Sequence, residues 1–252
     1  MIGIFDSGSG GLTVARAIRE KLPSADILYF GDIKNAPYGE KSREELSRLT
    51  VNAIQTLLVR GATSIVSACN SVSASLAVSL FDTLDLLPEH LIEMVGPTVS
   101  YFKNFKKSIL LVATQATISS EIYQSAFQMI GTQIDTVAIP KLAGAIEFGL
   151  PQIDQERLIA AAFAPRDVAK YGAIILACTH YPLAQNAFTH VLGRMPFFDP
   201  AEAVAERVEK QFWPREVGDR SMRLLVSRDT EQFRAQVVWL FPDATYAIEV
   251  VE

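Results

Sequence analysis

A short apolar segment that occurs twice, each time ending at a cysteine, is the strongest constraint on how this chain can fold. Ile-Val-Ser-Ala-Cys-Asn occupies positions 65–70, and Ile-Ile-Leu-Ala-Cys-Thr occupies positions 174–179, 109 residues further along. The strand-like run and small-residue loop at 2–11 have a similar counterpart at 109–117. This spacing is well above the roughly 20–50 residues of solenoid repeats. The sequence therefore predicts two similar halves, each with one cysteine at an equivalent position.

The pattern between these segments predicts the fold class. Apolar runs bounded by glycine or polar residues alternate with amphipathic stretches, which is typical of βα units on a mostly parallel sheet. Strands are predicted at 2–5, 26–30, 64–67, 109–112, 136–139, 173–176 and 223–226. Helical patterns between the strands include 12–21, 42–60, 73–81, 119–130 and 201–211. We expect two pseudosymmetric α/β domains whose sheets face a shared cleft at the carboxyl ends of the strands.

Charge and hydropathy exclude several classes of function. The net charge of −5 provides no positive field for nucleic acid or an anionic membrane surface. The N-terminus lacks the basic and long apolar regions of a signal peptide, and no apolar stretch reaches the roughly 20 residues of a membrane span. We therefore expect a cytoplasmic protein. In a reducing cytoplasm its two cysteines would remain thiols.

The two cysteines are the main candidates for chemistry. Cys69 ends an apolar strand and opens a helix, where the helix dipole and nearby donors are expected to lower the thiol pKa. Taken alone, such a cysteine is more often a small buried hydrophobe. Because the only two cysteines, Cys69 and Cys178, end equivalent strands, the pair indicates reactive thiols. His180 could relay protons to Cys178 or form half of a metal site, but no further ligand spacing supports zinc.

The remaining candidates lie near predicted strand ends. The glycine-rich loop at 5–11 could bind an anion at a helix N-terminus, or form a tight turn with Asp6 or Ser7 as helix cap. It matches neither a dinucleotide fingerprint nor a phosphate-binding P-loop. Further polar positions follow later strands or lie in a helical stretch: Tyr38, Gly39, Thr114, Thr117 and Glu147. Each of these alone is more typical of turns, caps or solvated surface.

These motifs together resemble one family, the glutamate racemases. Phe-Asp-Ser-Gly-x-Gly-Gly-Leu, Pro-Tyr-Gly, Ala-Cys-Asn-Ser and Cys-Thr-His-Tyr-Pro-Leu occur in the order found in that family. The segments at 140–147 and 199–205 also resemble family segments, so the likeness covers nearly the whole chain. Cys-Thr-His-Tyr-Pro is the most specific of these motifs.

The resemblance implies a fold, a reaction and a set of site residues. It implies a first domain of 1–97 plus 207–252, a second domain of 98–206, and an active site between them. No cofactor or metal would be used, a homodimer would be expected, and the product would be D-glutamate for peptidoglycan, cell-wall biogenesis and cell shape. Cys69 and Cys178 would be the two bases, assisted by Asp6 and His180. The residues expected to bind the amino-acid substrate are Asp6, Ser7, Tyr38, Gly39, Asn70, Ser71, Thr114, Thr117, Glu147, Thr179 and His180.

Inverting a stereocentre without a cofactor requires one group that removes the α-proton and another that delivers a proton to the opposite face. Two thiols on facing halves meet this requirement when one is a thiolate and the other a thiol. The substrate α-carboxylate would be held by hydroxyl groups and helix N-termini, since the motifs contain no lysine.

Four positions depart from the family pattern without removing a catalytic residue. Ser71 replaces threonine, Ala113 and Ala177 replace glycine, and Arg228 replaces the glycine of a Ser-Gly pair. We interpret these changes as adjustments of the site. Racemisation of aspartate or another amino acid by the same thiols is a second reading. A third is a non-catalytic amino-acid-binding protein on the same fold.

Overall fold

The computed structural model describes residues 1–75, 84, 86–164 and 166–251, in which the strands form two parallel sheets. The strands of the first sheet are β1 (Ile2–Asp6), β2 (Ile27–Gly31), β3 (Ser64–Ser67), β4 (Leu91–Glu93), β9 (Met222–Val226) and β10 (Ala247–Val250). Those of the second are β5 (Ile109–Ala113), β6 (Ile134–Ala138), β7 (Ala173–Ala177) and β8 (Phe197–Phe198). Every pairing between these strands is parallel, which confirms the predicted α/β class.

The two sheets repeat one strand order. The first runs β10-β9-β2-β1-β3-β4 and the second runs β6-β5-β7-β8. In both, the earliest strand of the unit is central, and the third strand along the chain pairs beside it. The strand before Cys69, β3, is therefore the topological counterpart of β7, the strand before Cys178. We call the units built on the two sheets the first half and the second half.

The helices cover both faces of the sheets, as buried parallel strands require. Their bounds are α1 (Leu12–Lys21), α2 (Arg43–Val59), α3 (Val95–Tyr101), α4 (Gln115–Ser119), α5 (Ile122–Met129), α6 (Leu142–Glu147), α7 (Gln152–Phe163), α8 (Gln185–Leu192), α9 (Pro200–Phe212) and α10 (Glu231–Leu240). Short 3₁₀ helices occupy Ile33–Asn35, Tyr38–Glu40, Asn70–Ser75, Pro88–His90 and Tyr181–Ala184. None of the helices in the described ranges has the length and apolarity needed to cross a bilayer.

The end of the chain returns to the first half, where β9 pairs with β2. Helix α9 packs on α1, and Ala201 and Val204 join the core that contains Leu12 and Ile18. The returning chain therefore joins the hydrophobic core of the first half near Pro200, a few residues before residue 207, where the return was predicted. The predicted domain boundaries themselves stay a prediction.

The structure differs from the sequence-based expectations mainly in short elements. The seven predicted strands are present with ends shifted by at most two residues, but β4, β8 and β10 were not predicted. The helix predicted at 119–130 is shorter in the structure, where it corresponds to α5. Ser120 and Glu121, whose φ of 55° is left-handed, separate α5 from α4, which ends at Ser119. Of the helix predicted at 73–81, residues 76–81 lie outside the described residues.

Candidate active site

A glycine-rich loop of the first half lies directly against the second half. Asp6 ends β1, and the loop continues to the start of α1. A Cβ at Gly8 would clash with the Glu147 carboxylate, and one at Gly10 would lie 2.6 Å from Thr179 Oγ1. Glycine at these two positions is therefore what allows the loop to approach the second half so closely.

Cys69 lies at the end of β3 with 4% of its surface exposed. Its thiol donates a hydrogen bond to Ser7 Oγ at 3.5 Å. Burial raises the pKa of this thiol to about 12, and the negative charge of Asp6 acts in the same direction. The predicted lowering of the Cys69 pKa is therefore wrong, because burial and an anionic neighbour outweigh the local hydrogen-bond donors.

Asp6 joins the two halves. One carboxylate oxygen accepts a hydrogen bond from Gly8 N and the other accepts one from Thr179 Oγ1, both at 3.0 Å. Burial raises the pKa of Asp6, although the nearby positive charge of His180 opposes this. Helix α1 is preceded by Gly11 and has no side-chain cap, so the alternative reading of Asp6 or Ser7 as a helix cap is wrong.

Cys178 lies at the end of β7 beside a buried His180–Glu147 pair. The Cys178 sulfur is 3.9 Å from His180 Nδ1, and His180 Nε2 donates to Glu147 Oε2 at 2.5 Å. Burial by itself would lower the pKa of His180, but its hydrogen bonds to Cys178 and Glu147 hold it well above 6.5. Burial would likewise raise the pKa of Glu147, but the bond and charge of His180 bring it below 4.5. The pair is thus an imidazolium and a carboxylate.

Both sulfurs belong to one electrostatic environment. Negative charge on Cys178 contributes to the raised pKa of Cys69, although the two residues lie in different halves. Ionising one thiol therefore opposes ionising the other. This coupling disfavours a state in which both thiols are ionised.

Hydroxyl groups line a second part of the junction. Ser71 Oγ and Thr114 Oγ1 are 3.0 Å apart, and Thr114 Oγ1 is 3.0 Å from Thr117 Oγ1. Gly39 abuts Thr114, since a Cβ at Gly39 would be 2.7 Å from Thr114 Cβ. These residues come from both halves and are rotatable donors and acceptors. They could hold a carboxylate without a buried lysine or arginine.

Among the described residues, the side-chain amide of Asn70 uses its oxygen but not its nitrogen in hydrogen bonding. Its Oδ1 accepts a hydrogen bond from Tyr123 Oη at 2.6 Å. Its Nδ2 is buried and has no partner within the part of the chain that the structure describes. A buried donor without an acceptor costs about 1–3 kcal/mol, so a ligand oxygen at this nitrogen would be stabilising.

Tyr38 is buried, but its hydroxyl is engaged away from the thiols. It donates to Asp32 Oδ2 at 2.6 Å, and Asp32 also accepts hydrogen bonds from Asn35 and Ser227. The cluster ties the returning C-terminal segment to the 3₁₀ helix of Tyr38. The Tyr38 hydroxyl therefore does not offer its proton to a substrate at the thiols.

The two alanines that replace the usual glycines lie behind the site. Ala113 and Ala177 are register partners on β5 and β7, and both are fully buried in the core of the second half. Their methyl groups fill this core next to Thr114 and Cys178. This placement agrees with the interpretation of these changes as adjustments.

An open cavity of about 690 Å³ reaches the junction at Ser71. It runs between the start of α2 and helices α4 and α5, and Lys41 and Arg43 contribute cationic groups to its wall. Neither sulfur lines it. Cys69 and Cys178 are 4% and 6% exposed, so both thiols are buried in this structure.

The structure brings nearly all predicted site residues to this junction and buries their side chains. Sequence reasoning missed Ser9, Tyr29, Asp32 and Tyr123. Asp32 directly follows β2, and this strand-end position could have indicated it. Tyr123 lies within a helix and carries no such signal. Among the described residues, no group of three or more histidine, cysteine and carboxylate side chains could hold a metal ion.

Comparisons with known proteins point in one direction. A family model for Asp/Glu/Hydantoin racemase matches residues 12–208. The glutamate racemase of Chlorobium phaeobacteroides is 36% identical over 216 residues, covering 83% of this chain and 78% of that protein. A glutamate racemase isoform from Bacillus anthracis has a TM-score of 0.87 at 26% identity, covering 100% and 97% of the two chains. The Francisella tularensis glutamate racemase, solved in complex with D-glutamate, has a TM-score of 0.86 at 25% identity with the same coverage.

Proposed function

Since the chain belongs to the Asp/Glu/hydantoin racemase family, as its motifs predicted, we propose that it interconverts L- and D-glutamate without a cofactor. Cys69 and Cys178 would be the two acid/base groups. The observation that carries this proposal is the burial of the two thiols at equivalent strand ends of two facing halves, within each other's electrostatic influence.

The reaction needs one proton removed and one delivered. A thiolate takes the α-proton of one enantiomer, which breaks the Cα–H bond, forms an S–H bond and leaves a carbanion at Cα. The opposite thiol then protonates the other face of Cα and becomes a thiolate. The product is the mirror-image amino acid, and the enzyme is left with the two protonation states exchanged.

The surroundings of the thiols favour a defined starting state. An imidazolium at His180 stabilises negative charge on the Cys178 sulfur, 3.9 Å away. Cys69 keeps its proton, because burial and Asp6 raise its pKa to about 12. This arrangement favours Cys178 as the group that first acts as base and Cys69 as the group that first acts as acid. In the reverse direction the Cys69 thiolate takes the α-proton, and the neighbouring negative charge of Asp6 makes this thiolate a stronger base.

The polar groups of the junction suit an anionic amino acid. Ser71, Thr114 and Thr117 offer hydroxyl donors from both halves, and Asn70 offers an unused amide donor. Closure around the substrate would exclude water and strengthen these hydrogen bonds. Glutamate is the preferred substrate in this proposal because the relatives that cover most of the chain are glutamate racemases. Its D-glutamate would serve peptidoglycan synthesis in the cytoplasm.

The test is racemisation by protein that has been treated with chelator and supplied with no cofactor. L-glutamate and, separately, L-aspartate are followed by circular dichroism. We expect glutamate to racemise, and Cys69→Ala or Cys178→Ala to lower the rate by about 10³-fold. Far-ultraviolet circular dichroism of the variants controls for folding. Turnover of aspartate alone would overturn the substrate assignment, and near-normal turnover in either cysteine variant would overturn the two-thiol mechanism.

A further inference from the structure

Ser9 reaches from the loop of the first half to the His180–Glu147 pair of the second half. Its side chain is fully buried, its Oγ donates to Glu147 Oε2 at 2.7 Å, and its main-chain N donates to the same oxygen at 2.9 Å. His180 Nε2 donates to that oxygen as well. Three donors therefore converge on one carboxylate oxygen, which is a strong arrangement for an ionised group.

The shape of the loop shows that this contact depends on close approach. The neighbours of Ser9 are Gly8 and Gly10, where a Cβ would clash with Glu147 or lie 2.7 Å from His180 Nδ1. In the described ranges, Ser9 is the residue of the first half whose side chain hydrogen-bonds Glu147. Since Ser9 and Glu147 belong to different halves, both bonds exist only when the halves are closed.

We propose that Ser9 is a positioning residue that holds Glu147 in the orientation needed to aim His180 at Cys178. This role rests on the proposed racemase function. Ser9 acts through two other side chains. Its hydroxyl fixes the Glu147 carboxylate, the carboxylate fixes the His180 imidazolium, and the imidazolium faces the Cys178 sulfur. The chain of contacts readies Cys178 when the first half closes on the second. Breaking it slows the proton transfer at Cys178 and leaves the transfer at Cys69 unaffected.

The test is Ser9→Ala, which removes the hydroxyl and retains the main-chain bond. Loss of one hydrogen bond to a charged group predicts a fall in kcat/KM of about tenfold. The ratio of kcat/KM for the two enantiomers equals the equilibrium constant of the reaction, which is one for a racemisation. We therefore expect kcat/KM to fall equally for both enantiomers. The distinguishing readout is the primary isotope effect with α-deuterated L- and D-glutamate. In Ser9→Ala, the isotope effect should increase for only one of the two enantiomers. The Glu147→Gln variant should show its increase for that same enantiomer.

Two further variants separate positioning from general structural damage. Ser64→Ala is the matched control, because Ser64 Oγ donates to the buried Glu216 Oε1 at 2.5 Å at the opposite end of β3. It should leave kcat/KM and both isotope effects within twofold of the wild type. In a Glu147→Gln background, Ser9→Ala should cost less than twofold, because residues acting through one another are not additive.

The outcomes separate this role from the proposed function. A wild-type protein that does not racemise glutamate overturns the proposed function and the role of Ser9 with it. With an active wild type, kcat/KM of Ser9→Ala within twofold overturns the role of Ser9 alone. The role of Ser9 is also overturned if the isotope effect of Ser9→Ala rises for both enantiomers, or if it rises for the enantiomer that does not respond in Glu147→Gln. A full tenfold loss in the Glu147→Gln background would show that Ser9 does not act through Glu147.

Discussion

The two halves share their topology and differ in the charge that surrounds their thiols. Cys69 follows β3 and lies near Ser7 and the carboxylate of Asp6. Cys178 follows β7, the counterpart of β3, and lies beside the cation of the His180–Glu147 pair. The duplicated sheet therefore places two sulfurs equivalently, while residues of the adjoining loops give one thiol an anionic neighbour and the other a cationic one. This difference allows one thiol to start as the acid and the other as the base.

The contrast between the two thiols is tested by removing the charged neighbour of each thiol in turn. His180→Asn should slow turnover by about 10²-fold, because the proton transfer at Cys178 loses its cation. That transfer then limits the rate, so the primary isotope effect should rise for the enantiomer that Cys178 deprotonates. In Asp6→Asn, the primary isotope effect should instead rise for the enantiomer that Cys69 deprotonates.

Parallel kinetics with α-deuterated L- and D-glutamate provide the measurement. The same enantiomer responding in both variants would mean that His180 and Asp6 do not serve different thiols. The Ser64→Ala variant, whose change is remote from both sulfurs, provides the control for each data set.

A smaller effect is expected in the pH dependence of stability. The folded pKa of His180 is raised above 6.5, so its contribution to the free energy of unfolding is complete below pH 6.5 and is lost as pH rises through the folded value. The protonated Cys69 thiol contributes in the same sense, but its loss begins only above pH 9.0, its reference pKa. Between these two pH values, the part of the loss that comes from His180 should be absent in His180→Asn.

Urea unfolding of wild type, His180→Asn and Cys69→Ala from pH 6 upward measures this difference. A folded pKa that lies one pH unit above the unfolded value corresponds to about 1.4 kcal/mol. Glu147 does not interfere, because its folded pKa is lowered and its contribution is lost only as pH falls below 4.5. An unchanged slope in His180→Asn would contradict the assignment of the cation to this half.

The sequence predicts the framework of this site better than its charge. Uninterrupted apolar runs such as 64–67 and 173–176 form buried parallel strands, and their ends locate both cysteines. The edge strands β4 and β8 have only three and two residues, too few to show a period. The pKa of Cys69 depends on burial and on Asp6 from another strand, neither of which local sequence reveals. Ser9 meets Glu147 across 138 residues of chain, with no signal beyond its place in a glycine-rich loop.

Two thiols that act on opposite faces of Cα should leave a characteristic isotope pattern in the first molecules of product. L-glutamate is incubated with the wild-type protein in D2O, and both enantiomers are analysed by mass spectrometry at a few per cent conversion. With two thiols, D-glutamate should carry deuterium at Cα from its first appearance, while the remaining L-glutamate keeps protium. Transfer of the original α-proton into D-glutamate would contradict the two-thiol mechanism, because a single group would then serve both faces.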